Sequence, residues 1–198
     1  PIMKLFLQSS ISIVLFFLFA IPASYGGEDP STFKDWEVSN IGGMILYSAH
    51  GENVHGHRFG WLKRAGSCNQ DILYLTYSSY NENINVLEKL TKNTMPLKVI
   101  FPQTEGVTLH ILPEIIGLTG LGNMKIVTLS NMRKEKVMDA YFSKLNAITI
   151  EIEEPYTSLF DITFDNWSLN GYVAAKLKAQ EMCEGLTMKR DFKVALNN

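Results

Sequence analysis

The densest set of chemistry-bearing residues is Ser48-Ala49-His50-Gly51-Glu52-Asn53-Val54-His55-Gly56-His57, which gathers three of the four histidines of the chain. Neutral imidazoles bind zinc and copper, and a His-x-His pair on a strand edge can turn both rings toward one ion. His50, His55 and His57 are therefore candidate metal ligands. A closed zinc site takes four ligands, and Glu52 is the obvious local fourth. The same Gly, Asn and polar content also describes a solvated hairpin tip that needs no metal. A copper–zinc dismutase is less well supported still, because its dinuclear centre uses more histidines than the chain contains.

Cys68 and Cys183 are the only cysteines. Two thiols in an exported chain pair readily, and this bridge would tie the early strands to the last helix. Closing so long a loop is worth roughly 4–5 kcal/mol in the chain-entropy model, before native strain is subtracted. The competing chemistry, a cysteine nucleophile activated by histidine, needs a free thiolate, and neither cysteine stands in a local signature of such enzymes. Gly117-Leu118-Thr119-Gly120-Leu121-Gly122 superficially suggests a phosphate loop. Its glycine spacing reverses that of the dinucleotide fingerprint, and a strand rather than a helix is expected after it. It reads as a turn. The chain has no G-x-S-x-G elbow, no H-E-x-x-H and no P-loop.

Glu151, Glu153, Glu154, Asp161 and Asp165 lie on the expected outer faces of amphipathic strands, where acids are hydrated. A catalytic carboxylate pair would need environments that push its pKa values apart. No catalytic residues and no cofactor are implied. Among the aromatics, Trp36 and Trp61 are expected in the core. Tyr77 and Tyr80 are candidates for partner binding, since tyrosine carries a polar tip on a large apolar body.

A composition of 46 % hydrophobic and 19 % charged residues excludes disorder. Met3-Lys4, the apolar run Ile11 to Ile21 and the small-residue exit Ala23-Ser24-Tyr25-Gly26 describe a secretory signal peptide. Residues 1–26 are read as that leader and residues 27–198 as a single β-rich exported domain, a length that suits one core. An uncleaved anchor is the alternative, but Gln8, Ser9, Ser10 and Ser12 interrupt a run that would need about 20 apolar residues to span a bilayer. No later stretch is long and apolar enough to span, and no cysteine near the cut could carry a lipid. The formal net charge of −2, more negative once Lys4 is removed, lacks the basic footprint of a nucleic-acid binder. Arg133-Lys134-Glu135-Lys136 is interrupted by an acid and reads as a solvated helix face.

The elements that must carry these residues are mostly strands. Ala147–Glu153, Phe160–Asp165 and Val107–Ile111 alternate apolar and polar residues, which puts one set inside and the other, His110 included, in water. Shorter or more continuous runs mark strands at Trp36–Val38, Met44–Tyr47, Phe59–Leu62, Ile72–Tyr77, Leu97–Phe101 and Lys125–Leu129. Breaks fall at Gly42-Gly43, Asn81–Asn85 and Gly117–Asn123. One helix is expected over Val137, Met138, Tyr141, Phe142 and Leu145, with Asn131 as its N-cap. A second follows the strand at Phe160, over Trp167-Ser168-Leu169-Asn170-Gly171 and then Tyr172 onward, with Tyr172, Ala175, Ala179, Met182, Cys183 and Leu186 on one face and Gly185 as its stop. A third, short helical turn is expected around Val86, Leu87 and Leu90. The fold class is mainly β: a β-sandwich of short antiparallel strands with two accessory helices.

Phe164-Asp165-Asn166-Trp167-Ser168-Leu169-Asn170-Gly171-Tyr172-Val173-Ala174-Ala175 resembles the C-terminal strand, S-L-x-G-F and small-small ending of the invasion-associated locus B family. Members of that family are exported bacterial β-sandwich proteins linked to host-cell entry and usually carry more cysteines than this chain. The resemblance implies a sandwich fold, export and a role in host interaction, and it brings no catalytic residues. The expected function is thus an exported non-enzymatic binding protein, periplasmic or secreted, whose partner is a protein or a host surface component. The alternatives are an inhibitor or immunity-type protein for a secreted enzyme, and a metal-binding protein using the His50–His57 loop.

Overall fold

Alternating apolar and polar residues become paired strands along most of the chain. The computed structural model describes residues 31–196 except 105 and 135; the expected leader lies outside the described residues. The strands are β1 (Ser31–Phe33), β2 (Trp36–Ile41), β3 (Met44–His50), β4 (Arg58–Arg64), β5 (Ile72–Ser79), β6 (Leu97–Ile100), β7 (Thr108–Ile111), β8 (Glu114–Leu121), β9 (Met124–Ser130), β10 (Ala147–Ile152) and β11 (Phe164–Ser168). Among the described residues these form a seven-stranded sheet, β1-β2-β3-β4-β5-β9-β8, and a four-stranded sheet, β11-β10-β6-β7. All pairings are antiparallel. The protein is mainly β, as expected, with helices α1 (Lys136–Phe142) and α2 (Tyr172–Leu196) and a 3-10 helix over Glu82–Leu90.

The inward residues of both sheets meet in one core. Trp36, Tyr47, Phe59, Trp61, Tyr77 and Trp167 are fully buried there. Their rings, with Phe142 from α1 and Tyr172 from α2, pack largely edge to face: Trp36 on Tyr172 at 5.1 Å, Phe59 on Phe142 at 5.6 Å and Tyr77 on Trp167 at 6.0 Å between centroids. That geometry suits the ring quadrupoles and adds about 0.5–1.5 kcal/mol per pair beyond area burial. The Tyr77 hydroxyl donates to the Ile150 carbonyl at 2.8 Å, a hydrogen bond from the larger sheet to the smaller.

Helix α2 lies along β1 to β4 and buries Tyr172, Ala175, Ala179 and Cys183. Their three- and four-residue spacing makes one stripe, and the alanines let the helix axis approach the sheet closely. The helix begins at Tyr172 rather than at Trp167, because Trp167 belongs to β11. It also runs past Gly185 to Leu196, so that glycine is no stop. Asn131 does not cap α1; it takes φ +64° and its side chain donates to Glu114. Most of Gly117–Asn123 is strand β8, and the break shrinks to the Gly122 turn at φ +60°.

The largest difference is the phase of β11. Alternation from Phe160 places Ile162 and Phe164 inside and Asp165 outside. Phe160 is buried, but the chain bends before Phe164 and the two-residue period is lost. Within β11, Asp165 and Trp167 turn inward while Phe164 faces solvent. The bulk of Trp167 decides the face, and Asp165 follows it inside.

Gly171 joins β11 to α2 at φ +95°, and a Cβ there would overlap the Phe33 carbonyl oxygen. Gly171→Ala is expected to lower unfolding free energy by more than about 1 kcal/mol, since both the conformation and the contact reject a side chain. Urea denaturation of the two proteins measures the difference.

Candidate functional site

Where the larger sheet meets α2, the core admits charge. Lys63 shares the inward phase of Phe59 and Trp61 on β4, and its side chain is only 3 % exposed. Its ammonium donates to the Cys68 carbonyl at 2.8 Å and lies 2.9 Å from Asp71, just ahead of β5. Lys134 follows β9 and is fastened through its backbone N–H to the Asp71 carbonyl at 2.9 Å. The expectation of a solvated basic face fails here: the Lys134 side chain is 5 % exposed. The local sequence looks solvated, but the chain turns inward beside Asp71.

The Lys134 ammonium sits 2.8 Å from Asp71 and 3.2 Å from Asp139 of α1. It donates to the hydroxyls of Tyr47 and Tyr172, each at 2.8 Å. It also lies 5.4, 5.2 and 5.4 Å from the ring centroids of Tyr47, Trp61 and Tyr172. Carboxylates, phenols and aromatic faces thus replace its water, which is what a buried ammonium requires. Asp139 accepts further hydrogen bonds from the Tyr172 hydroxyl and the Lys176 ammonium, both at 2.5 Å.

These contacts set the ionisation. Burial lowers the Lys134 pKa, against the opposing pull of Asp71. Burial would raise Asp71, but Lys134 and Lys63 outweigh it and hold the carboxyl below its ordinary value. Asp139 likewise resists its own burial and is held at about 2 by Lys176, Tyr172 and Lys134. Burial, reinforced by the nearby aspartates, pushes both phenols up. The result is a set of fixed charges and protonated phenols.

A cavity of about 240 Å³ opens onto this cluster, with Lys63, Asp71, Asp139, Lys176, Asn69 and Gln180 in its wall. Asn69 and Gln180 also line an adjoining cavity of about 360 Å³, bounded by Cys68, Glu184, Thr187 and Met188. The two form one cleft between α2 and the loop from β4 to β5. Cys68 and Cys183 are joined by a disulfide in its wall, Cα atoms 5.7 Å apart and 115 residues apart in sequence.

The His50–His57 segment is arranged differently from a metal loop. His50 ends β3 on the outer face of the sheet, is exposed and lies 3.6 Å from Glu37. Glu37 itself pairs with Arg58. His55 and Glu52 are exposed. His57 points inward and is fully buried, with Nδ1 2.9 Å from Asp165 and Nε2 3.3 Å from the Ser78 carbonyl oxygen. Because strand phase sends His50 and His57 to opposite faces, the imidazoles do not converge. Both ring nitrogens of His57 are already engaged, so it has none to offer a cation. Among the described residues no three His, Cys, Asp or Glu side chains are grouped to hold a metal ion.

Asp165 is the partner that strand patterning misses. Its carboxylate accepts from the backbone N–H groups of Asn53, Val54 and Asn166 at 2.9, 3.1 and 2.7 Å. With His57 it clamps the loop between β3 and β4 onto β11. Burial lowers the His57 pKa, partly opposed by Ser78 and Asp165. The one sequence signal for this arrangement is Trp167, two residues on and necessarily inward. Tyr77 is also no surface residue: it is fully buried, its ring 4.6 Å from His57, because Leu73, Leu75 and Tyr77 share the inward phase of β5. Tyr80, just beyond β5, is 67 % exposed.

No family model matches the chain, and neither a curated protein nor a solved structure does.

Lys134→Met is expected to destabilise the protein by about 3–5 kcal/mol, because it leaves buried Asp71 with only one cation. Adding Asp71→Asn should recover part of that loss; denaturant midpoints of the single and double variants decide it. For His57 the folded pKa lies below the unfolded value of about 6.5, so the unfolded chain takes the proton first. Stability is therefore complete above pH 6.5 and declines as pH falls through that value toward the folded pKa. His57→Gln should flatten this decline. The midpoint-against-pH curve of each protein measures it.

Proposed function

We propose that the chain is an exported, non-enzymatic binding protein, acting in the periplasm or outside the cell on a protein partner or a host surface component. The observation that carries the reading is the way Tyr80 is presented. Its backbone N–H donates to Asp161 at 2.6 Å, and the Ser79 hydroxyl donates to the same carboxylate at 2.9 Å. Asn81 continues the brace: its amide donates to the Ser158 carbonyl at 3.0 Å, and its side-chain oxygen accepts from the Asn83 N–H at the start of the 3-10 helix. A large aromatic is thus held out on a braced backbone, with exposed Ile162 beside Asp161 and exposed Val86 on the adjoining 3-10 helix. Rigid aromatic anchors lose little entropy on binding and dominate many interfaces.

Export is supported by the leader pattern of residues 1–26 and by a disulfide, which persists in oxidising compartments. Among the described residues no helix is long and apolar enough to cross a membrane. A non-enzymatic role is supported by the use made of the buried ionisable groups: Lys134 with Asp71, and His57 with Asp165, fasten neighbouring segments to one another. The strand-to-helix ending Phe164–Ala175, where the resemblance to the invasion-associated family lies, supports a host surface component as one kind of target.

Capture from the native envelope fraction tests the reading. A specific partner held by the natural protein should be lost on Tyr80→Ala, at a cost of about 2 kcal/mol or roughly 30-fold in Kd, with unchanged thermal stability. The mature mass should begin near Gly27. A partner retained equally by Tyr80→Ala, or recovered protein still carrying its leader, overturns the assignment.

A further inference from the structure

We propose that the cleft under α2 is a binding site for a small molecule with one oxyanion head, a phosphate or a carboxylate, and an uncharged body. Around the 240 Å³ cavity stand three ammonium groups, Lys63, Lys134 and Lys176, against two carboxylates, Asp71 and Asp139. Each carboxylate oxygen already faces a cation: Asp71 Oδ1 faces Lys63 and Oδ2 faces Lys134, while Asp139 Oδ1 faces Lys134 and Oδ2 faces Lys176. The carboxylates of the wall are therefore charge-paired, although Asp71 Oδ1 accepts no hydrogen bond, and the charge left over is positive.

The donors are not committed. An ammonium has three N–H groups. Lys134 has four oxygens around it and nothing to offer. Lys176 makes one ion pair, to Asp139, and is about one-third exposed at the cavity. Lys63 donates one hydrogen bond, to the Cys68 carbonyl, and is ion-paired with Asp71 Oδ1 without a hydrogen bond to it. Lys176 and Lys63 can thus each add a charge-assisted hydrogen bond to an entering oxyanion. The Asn69 carboxamide lies at the same mouth.

The adjoining 360 Å³ cavity sets the rest of the ligand. Its Thr187 hydroxyl is occupied, accepting from Gly66 N–H and donating to the Cys183 carbonyl. Met188 gives it an apolar wall, and Glu184 would repel a second negative group. A single head in the charged end and an uncharged body along α2 fit both halves.

Isothermal titration with inorganic phosphate and, separately, with butyrate tests this at low ionic strength, against sodium chloride of matched ionic strength. Saturable binding of at least one anion is expected, and which one binds identifies the head. Lys176→Met removes the accessible ammonium while Asp139 keeps Lys134 and Tyr172. Gln180→Glu places a negative charge at the junction, one helical turn from Lys176, and gives up the Gln180 hydrogen bond to Glu184. Each should weaken binding at least tenfold, whereas Lys178→Met, which removes a lysine paired with Glu181 on the same helix, should leave it unchanged. Thermal melts confirm that the variants fold. No saturable binding of either anion, or binding that survives both Lys176→Met and Gln180→Glu, overturns the proposal.

Discussion

A buried ammonium must be given back what water supplied, and the arrangement around Lys134 follows from that demand. Taking a lysine out of water costs several kcal/mol unless charges and dipoles close around it. Here the compensation comes from Tyr47 on β3, Asp71 before β5, Asp139 on α1 and Tyr172 on α2, four segments far apart in sequence. None of them can move away without leaving a charge stranded. The cluster therefore sets where α1 and α2 sit on the larger sheet, and with them the edge-to-face packing of Trp36, Tyr172 and Phe142.

Two further fasteners act on other segments. The disulfide joins the loop after β4 to the middle of α2, and the bridged Cys68 turns its carbonyl to Lys63. Closing a loop of this length restrains the unfolded chain by roughly 4–5 kcal/mol in the entropic account. Farther along the core, Asp165 gathers the backbone of the loop between β3 and β4 and engages the buried His57 ring. Both polar clusters are largely satisfied by hydrogen bonds; the exception is Asp71 Oδ1, which is ion-paired with Lys63 but accepts no hydrogen bond. They differ in access: the Asp165 clamp is sealed, whereas the lysine cluster borders an open cleft.

The proposed roles divide along that difference: surface recognition is assigned to the braced Tyr80, and small-anion binding to the cleft under α2. The disulfide lies in the wall of the second region and is remote in sequence from the first.

Much of the architecture was legible along the chain. Alternation in Ala147–Ile152 and the apolar runs of β2 to β6 and β9 located strands, because a half-buried strand writes its burial into a two-residue period. The helical stripe from Tyr172 to Cys183 located α2, and the tryptophans marked the core. Other features had no local trace. Whether Asp165 faces in or out depended on a bend at Phe160–Thr163 that broke the period, and the burial of Lys134 depended on Asp71, sixty-odd residues earlier in sequence. A local pattern records how a residue alternates with its neighbours. The partner that makes a buried charge or imidazole tolerable is supplied only when distant strands and helices meet, so the tertiary structure alone decided where Lys134 and His57 would lie.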